Sequence, residues 1–230
     1  MIKDNLQQVY TKIKESVKKR TLADKNENIK LIAVTKNHDI YAMREAIDAG
    51  ALFVGENRVQ EAMKKIETLE RRVEWHLIGQ LQTNKVKQAV KVFDLIQSVD
   101  RVKLVDEIEK AAEKIGKIQD VLIQVNLAKE ESKTGIYRED LPGLLQKVDK
   151  MEHLHLCGLM CIAPNYDDIE KCRLLFREMY KIFLEVKKMS FKTADIKYLS
   201  MGMTHDYTIA IEEGANIVRI GTAIFGQRQY

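Results

Sequence analysis

YLSMGMT at Tyr198–Thr204 and NIVRIGTAIFG at Asn216–Gly226 are the two stretches that decide the fold. Each begins as an apolar run that is typical of a buried strand and then stops at small residues. A helix that starts directly after such a strand presents backbone N–H groups and a positive dipole end, which suit a phosphate. The small residues at which we expect a phosphate are Ser200, Gly202, Gly221 and Thr222.

Arg219 lies inside the second of these runs. As part of a strand it shares a face with Ile217 and Gly221, whereas Val218 and Ile220 face the other way. An arginine is rarely placed among core-forming residues without a partner, because burying an unpaired charge is costly. We therefore expect Arg219 to have a partner, and a ligand near the strand end is one candidate.

Similar apolar runs recur upstream, and amphipathic stretches with helical periodicity separate them. This alternation is typical of a parallel sheet whose faces are covered by helices. The candidate strands are Leu31–Thr35, Leu52–Gly55, Trp75–Ile78, Phe93–Gln97, Val121–Val125, Leu154–Met160, Ile196–Leu199 and Ile217–Ile220. The candidate helices between them include Ile40–Ala49, Val59–Leu69, Val102–Ile115, Leu141–Val148 and Ile169–Val186, and Gly50, Thr204 and Gly214 are candidate helix-end residues.

Eight strand and helix units in 230 residues predict a closed (β/α)₈ barrel of the α/β class, with an open doubly wound sheet as the alternative. Leu6, Val9, Tyr10, Ile13 and Val17 fall at helical spacing and predict an extra helix before the first strand. The chain lacks a Pro/Gly/Ser-rich linker or a shift in composition. We therefore expect a single domain over residues 1–230.

The composition indicates the cellular compartment and the classes of partner that the protein is expected to bind. The net charge of +4 is spread along the chain, and its densest basic cluster coincides with the opening helix, so a solvated face is favoured over a nucleic-acid surface. Three cysteines form no paired framework, which suits reduced thiols. With no signal peptide pattern and no membrane-spanning stretch, we expect a cytoplasmic protein that does not contact a membrane.

Chemistry in such a barrel collects at the C-terminal ends of the strands. The first strand ends at Lys36, which is in phase with Ile32 and Val34, and a lysine held there can form a Schiff base. A lysine that merely snorkels at the barrel rim is the alternative. Polar residues also follow the second and third strands, where Asn57 stands in Gly55–Arg58; many of these serve equally well as helix caps.

His153 and His155 share a strand face at a spacing that can present two imidazoles to a metal. No nearby set of Cys, Asp or Glu completes a site with convincing spacing in the sequence. We therefore expect no metal site.

A Schiff-base lysine on the first strand and a phosphate site after the seventh and eighth strands define the two ends of one ligand. Pyridoxal 5′-phosphate has that shape. Lys36 would reach its aldehyde, while Ser200, Gly202, Gly221 and Thr222 would surround its phosphate. Arg219 would be available for the ring nitrogen, which it would keep unprotonated, weakening the cofactor as an electron sink.

These residues stand in motifs that resemble the pyridoxal phosphate homeostasis family, stand-alone relatives of the alanine racemase N-terminal barrel. The resemblance runs nearly end to end. It implies that Lys36 carries the cofactor as a Schiff base with Asn57 close by, and that the protein keeps free pyridoxal phosphate low without established catalytic turnover. The matching motifs are Ile32–Lys36, Gly55–Glu61, His76–Lys85, Gly158–Met160 and the two C-terminal stretches quoted above.

The chain also departs from that family. Many relatives have a second lysine two residues after the cofactor lysine, followed by proline, where this chain has His38 and Asp39. A transfer role assigned to that second lysine does not carry over. Thr204 and Asn216 replace an expected serine and threonine but keep the ability to form hydrogen bonds.

Three functions fit these residues to different degrees. We favour a non-catalytic protein of intracellular pyridoxal phosphate homeostasis, a monomer whose partners are the cofactor and, by implication of the family, pyridoxal-phosphate-dependent apoenzymes. The alternative is a racemase or related enzyme, but two-base racemisation needs a second acid/base that alanine racemases take from an additional domain. A cofactor-free Schiff-base aldolase acting on a sugar phosphate is the third.

Overall fold

The computed structural model describes residues 1–70, 72–130 and 133–227, and it confirms the predicted (β/α)₈ barrel. Eight parallel strands close in the order β1 to β8, with β1 pairing to β8. The strands are β1 Lys30–Val34, β2 Phe53–Glu56, β3 Glu74–Leu77, β4 Leu95–Val99, β5 Gln119–Val125, β6 Leu154–Cys161, β7 Ala194–Met203 and β8 Ile217–Ile220.

Helices cover the outside of the barrel. The expected opening helix is α1, which precedes β1 and packs its apolar side against α2, α8 and α9. The helices are α1 Ile2–Lys18, α2 Ile40–Asp48, α3 Val59–Thr68, α4 Val86–Val92, α5 Val102–Glu113, α6 Leu141–Val148, α7 Lys171–Lys187, α8 Tyr207–Glu212 and α9 Thr222–Phe225, with a 3₁₀ turn at Thr83–Lys85. Within the described ranges, no helix combines the length and the apolar character needed to cross a membrane.

Most predicted strand boundaries differ from the structure by one or two residues, and the differences are largest at the fourth and seventh strands. The fourth strand begins at Leu95 and not at Phe93, because the N–H of Phe93 still bonds the carbonyl of Ala89 and ends α4. The seventh strand continues to Met203, beyond the predicted end at Leu199, since its extension contains Ser200 and Gly202, which do not read as strand residues. The longer β7 carries the chain as far as the C-terminal rim of the barrel.

The helix-end predictions have a mixed outcome. Gly50 and Gly214 adopt φ values of 106° and 109°, so the expected left-handed ends of α2 and α8 are confirmed. The prediction that Thr204 caps α8 is wrong. That helix begins after Asp206, whose Oδ1 accepts a hydrogen bond from the N–H of Met203, whereas Thr204 Oγ1 accepts one from Ala223 in α9.

The core has two layers that follow the alternation of the strands. The outer layer fills the space between barrel and helices and includes Val218 and Ile220 of β8. The inner layer fills the barrel itself and consists of Ile32, Leu95, Leu122, Cys157, Met160 and Ile217. Arg219 is in phase with Ile217, as predicted from the strand alternation, and it is buried at 3% exposure.

Candidate functional site

A cavity of about 230 Å³ opens at the C-terminal end of the barrel, bounded by the ends of β1, β2, β3, β6, β7 and β8. Five of the residues predicted from the sequence line it together: Lys36, Asn57, Arg219, Gly221 and Thr222. The remaining wall residues are Val34, Ile78, Ile162, Met203, Thr204 and His205. The cavity therefore joins the candidate Schiff-base lysine to the arginine and to the turn after β8.

The backbone on both sides of Lys36 is held by α3. Lys65 Nζ donates to the carbonyl oxygen of Thr35 at 2.7 Å, on the N-terminal side of the cavity lysine. On the other side, Glu61 Oε1 accepts a hydrogen bond from the N–H of Asn37 at 2.6 Å. Asn37 has a φ of 61°, a left-handed conformation that asparagine tolerates better than most residues. These contacts fix the turn from which the Lys36 side chain enters the cavity.

A buried carboxylate completes this support. Glu56 is fully buried at the end of β2, and its Oε1 accepts hydrogen bonds from Thr35 Oγ1 at 2.5 Å and Lys65 Nζ at 2.7 Å. Burial raises the pKa of Glu56, while the Lys65 ammonium works in the opposite direction. Lys65 and Glu61 pair at 2.8 Å, so one ammonium connects two carboxylates and the Thr35 carbonyl. Sequence reasoning missed Lys65, because a lysine on an amphipathic helix is usually solvated.

His38 and Asp39, which depart from the family pattern, are both held in place by contacts with other residues. The His38 ring stacks on Phe225 with centroids 4.6 Å apart and an angle of 28° between the planes. Asp39 caps the following helix, with its Oδ1 accepting from the N–H of Ala42 at 2.8 Å. The segment after Lys36 is thereby joined to α9 at the end of the chain, and His38 has a structural contact in place of a second lysine.

Asn57 lines the cavity where the chain after β2 passes close to the chain after β3. A Cβ at Gly79 would lie 2.4 Å from the carbonyl oxygen of Asn57, so a side chain there would force the two strand ends apart. Gly79 belongs to the predicted third-strand motif, and its role is to permit this approach. The close contact keeps Asn57 in the same wall as Lys36.

Arg219 forms the floor of the cavity. One guanidinium nitrogen donates to Ser200 Oγ at 2.6 Å, and the other donates to the carbonyl oxygen of Cys161 at 2.8 Å. Burial lowers the pKa of Arg219, with Cys161 and Asp206 opposing this shift. A guanidinium offers donors and no acceptor, so an atom that meets it from the cavity must be an acceptor.

Ser200 and Gly202 do not line the cavity, although they were predicted to contact a ligand. The Ser200 hydroxyl is fully buried below Arg219 and donates to Gln97 Oε1 at 2.6 Å. Gly202 packs against α8 with a φ of 92°, and a Cβ there would lie 2.6 Å from the Ala210 Cβ. The structure thus accounts for both residues through packing and support, and a direct contact with a ligand stays a prediction.

Gly221 and Thr222 lie at the turn from β8 into α9. A Cβ at Gly221 would meet only ordinary contacts, the nearest being Val34 Cβ at 3.4 Å. Its φ of −113° is accessible to other residues, so neither packing nor backbone geometry requires glycine at this position. A bare backbone at the cavity wall instead suits a ligand that approaches the chain closely. The Thr222 and Thr204 hydroxyls give this wall hydrogen-bonding groups.

His205 is a titratable wall residue that sequence reasoning missed. It directly follows the YLSMGMT stretch, so its place after the seventh strand was the available signal. Its imidazole is a side chain that can act as an acid or a base at the cavity wall.

The two histidines considered for a metal separate in the structure. His153 Nδ1 lies 3.0 Å from Glu109 Oε1, while His155 Nδ1 lies 2.8 Å from Asp120 Oδ1 and 3.3 Å from Cys157 Sγ. Ligand atoms of the latter three residues fall within 4.8 Å of one another, a cluster that sequence spacing does not show because Asp120 lies on another strand. This cluster is outside the cavity, and the expectation of no metal stays a prediction.

The wall residues fit pyridoxal 5′-phosphate. Lys36 supplies an amine, Gly221 and Thr222 supply an unobstructed backbone with a hydroxyl, and Arg219 supplies donors to a ring nitrogen. Burial raises the pKa of Cys157 and of Cys161 to about 12, so neither thiol competes as a nucleophile.

Comparison with known proteins finds matches over nearly the whole chain. The alanine racemase N-terminal domain family matches residues 5–229. A pyridoxal phosphate homeostasis protein of Aquifex aeolicus (strain VF5) is 42% identical over 229 residues, covering 99% of this chain and 98% of the relative. The protein of the same description from Haemophilus influenzae is 40% identical over 233 residues, covering 100% of this chain and 97% of the relative.

Solved structures show the same relationship. PipY of Synechococcus elongatus PCC7942, determined with pyridoxal phosphate bound, superposes with a TM-score of 0.86 at 33% identity, covering 98% of this chain and 100% of PipY. An alanine racemase of Clostridium difficile 630 superposes with a TM-score of 0.74 at 15% identity over 99% of this chain and 58% of the racemase. The second likeness concerns the fold alone.

Proposed function

Because the chain belongs to the pyridoxal phosphate homeostasis family, within the wider group that shares the alanine racemase N-terminal domain, we propose that it binds pyridoxal 5′-phosphate through Lys36 and holds it without using it as a catalyst. The observation that carries this proposal is the single cavity that joins Lys36 to Arg219, Gly221 and Thr222. Lys36 follows β1 and Arg219 lies on β8, and these two strands are hydrogen-bonded neighbours. The two side chains can therefore contact the same small ligand.

Each wall residue has a distinct task in this proposal. The cofactor supplies an aldehyde that condenses with an amine, and Lys36 supplies that amine from a turn fixed by Lys65 and Glu61. Gly221 and Thr222 receive the phosphate, with Thr204 on the facing side. Arg219 donates to the ring nitrogen, and Asn57 and Ile78 close the wall between β2 and β3.

Holding without turnover follows from Arg219. A permanent donor at the ring nitrogen keeps that nitrogen unprotonated, and the ring then stabilises a carbanion poorly. His205 is the observation that keeps the racemase alternative in view, because an imidazole in the wall could act as a second acid/base. The non-catalytic reading requires that His205 contribute nothing to proton exchange.

The cellular part of the proposal is a cytoplasmic monomer that supplies the cofactor to pyridoxal-phosphate-dependent apoenzymes. The three free cysteines are buried, which suits a reducing compartment.

The proposal is tested by the near-visible absorption of the purified protein after incubation with pyridoxal phosphate. We expect a yellow protein that loses its colour with hydroxylamine, and a Lys36→Ala variant that folds but stays colourless. Lys85→Ala is the matched control, because Lys85 follows β3 outside the cavity wall and should leave the colour unchanged. A colourless wild type would support the aldolase alternative, while colour retained in Lys36→Ala would place the Schiff base on another lysine.

The absence of catalysis needs a separate measurement. Alanine incubated with the loaded protein in deuterated buffer should exchange its α-proton no faster than with free pyridoxal phosphate. Exchange well above that level, lost in Lys36→Ala or in His205→Gln, would establish the enzyme alternative.

A further inference from the structure

A continuous row of hydrogen-bonding side chains runs through the barrel interior below the cavity. It begins at Arg219, passes through Ser200 Oγ and reaches Gln97 Oε1, with both distances at 2.6 Å. Gln97 Nε2 lies 2.8 Å from His76 Nδ1, and His76 Nε2 lies 2.9 Å from Glu74 Oε1. The row thus crosses from the C-terminal rim to the first residue of β3 at the opposite end.

The two ends of the row fix the direction of every hydrogen bond in it. Arg219 can only donate, so the Ser200 hydroxyl accepts from it and gives its own proton to Gln97 Oε1. Gln97 must then use its amide nitrogen as the donor to His76 Nδ1. His76 is left with its proton on Nε2, which it donates to the Glu74 carboxylate. A row with a donor-only group at one end and an acceptor-only group at the other has a single consistent arrangement.

Because the row is buried, losing one of its hydrogen bonds should be costly. Ser200, Gln97 and His76 are each at most 1% exposed, so water does not replace a lost partner easily. The far end is itself anchored, because Lys30 Nζ pairs with Glu74 Oε1 at 3.3 Å and lies over the rings of Phe53 and Tyr198 at 4.4 and 4.7 Å. The His76 ring also packs edge-on against Phe53, with ring centroids 5.9 Å apart.

We propose that Ser200, Gln97 and His76 are positioning residues for Arg219, which they hold with its remaining donors directed at the pyridine nitrogen of the cofactor. This inference rests on the proposed function. It gives Ser200 a role that acts through Arg219, and it assigns roles to Gln97 and His76, which do not line the cavity.

The test compares two ligands that differ only at the ring nitrogen: pyridoxal phosphate and its carbocyclic analogue with CH in place of that nitrogen. Dissociation constants for both are measured by spectral titration. If Arg219 is aimed at the nitrogen, the wild type should prefer the natural cofactor by about tenfold or more, the usual value of a hydrogen bond from a charged donor. His76→Leu and Gln97→Met should reduce this preference several-fold while leaving the affinity for the analogue unchanged.

Two further variants separate positioning from general destabilisation. His76→Gln retains one acceptor and one donor, so it should keep the preference that His76→Leu loses. Gln119→Leu removes a buried amide outside the row and should lower the melting temperature without changing the preference. Melting temperatures of all variants without ligand confirm that each is folded.

The outcomes distinguish the inference from the function on which it rests. A wild type that binds neither ligand contradicts the proposed function, and the positioning role of the row then has no basis either. If the wild type binds both ligands equally, or if the variants keep the wild-type preference, the row does not position Arg219, although the protein still binds the cofactor.

Discussion

The ends of β7 and β8 look alike in the sequence, yet the structure uses them differently. Each apolar strand runs into small residues, with Gly202 in the first and Gly221 in the second. Gly202 has a φ of 92° and no room for a Cβ against α8, whereas Gly221 has an ordinary φ and free space beside Val34. The glycine at the end of β7 is therefore required by the fold, and the glycine after β8 is left for a ligand.

The polar residues of the two strands show the same division. Ser200 of β7 is buried between Arg219 and Gln97, while Thr222 after β8 faces the cavity. The end of β7 supports Arg219, whereas the turn after β8 is open to a ligand. A similar pattern of small residues thus does not by itself identify a binding residue, and the space around a hypothetical Cβ distinguishes the two cases.

The largest effect should follow from Gly202→Ala. The substitution combines a left-handed backbone with a Cβ 2.6 Å from the Ala210 Cβ, so we expect a loss of about 3–5 kcal/mol in the free energy of unfolding. Urea denaturation of the protein without ligand measures it. Gly221→Ala, which meets no contact closer than 3.4 Å, should remain within about 1 kcal/mol of the wild type. Equal losses in the two variants would remove the distinction between the strand ends.

The second effect concerns binding and should reverse the order of the two positions. Gly221→Leu places bulk at the cavity wall where we propose the phosphate lies, so it should weaken pyridoxal phosphate binding by about tenfold or more. Binding of pyridoxal, which lacks the phosphate, should change far less. Spectral titration with both ligands makes the comparison, and equal losses for the two would contradict the placement of the phosphate at this turn.

The third effect is expected at Ser200. Ser200→Ala leaves an Arg219 donor and the Gln97 acceptor without their partner in the barrel interior, which should destabilise the fold by about 1–3 kcal/mol. If the residue acts through Arg219, cofactor affinity should fall for pyridoxal and pyridoxal phosphate alike. A loss confined to the phosphorylated ligand would instead show that Ser200 belongs to the phosphate site.

The sequence could predict the barrel because strand burial and helical periodicity are local properties. It also placed Lys36, Asn57, Arg219, Gly221 and Thr222 at one end of the barrel, since parallel strands bring their C-terminal ends together. It could not predict the row below them. Ser200 and Gln97 are 103 positions apart, and their contact depends on the register and tilt of the closed sheet.

Two further features could not be predicted from the sequence: the burial of Lys65 and the different surroundings of Gly202 and Gly221. Lys65 reads as part of a solvated helix face, yet it is nearly buried and holds the Thr35 carbonyl. Gly202 and Gly221 are the same residue type in similar contexts, and only the position of α8 distinguishes them. Both cases depend on how a helix packs onto the barrel, which neither composition nor periodicity specifies.

The smallest effect should appear at the far end of the row, where Glu74 accepts from His76. The hydrogen bond from His76 holds the pKa of Glu74 below its usual range, and Lys30 contributes in the same direction. Burial lowers the pKa of His76, so the ring stays neutral near pH 7, while Asp94 has an opposing electrostatic effect on it. A carboxyl with a lowered folded-state pKa adds stability above its unfolded pKa and loses it as the pH falls through the folded value.

Glu74→Gln removes this contribution, because an amide cannot carry the charge that His76 and Lys30 stabilise. The wild type should therefore be slightly more stable than Glu74→Gln at neutral pH, and the difference should vanish on acidification below the normal range of a glutamate. The effect should be small because the side chain is 37% exposed and partly screened. Melting temperatures of both proteins from neutral to acid pH provide the measurement. A difference that persists unchanged at low pH would show that the Glu74 charge does not anchor the row, and that the β8 end is supported by Ser200 and Gln97 alone.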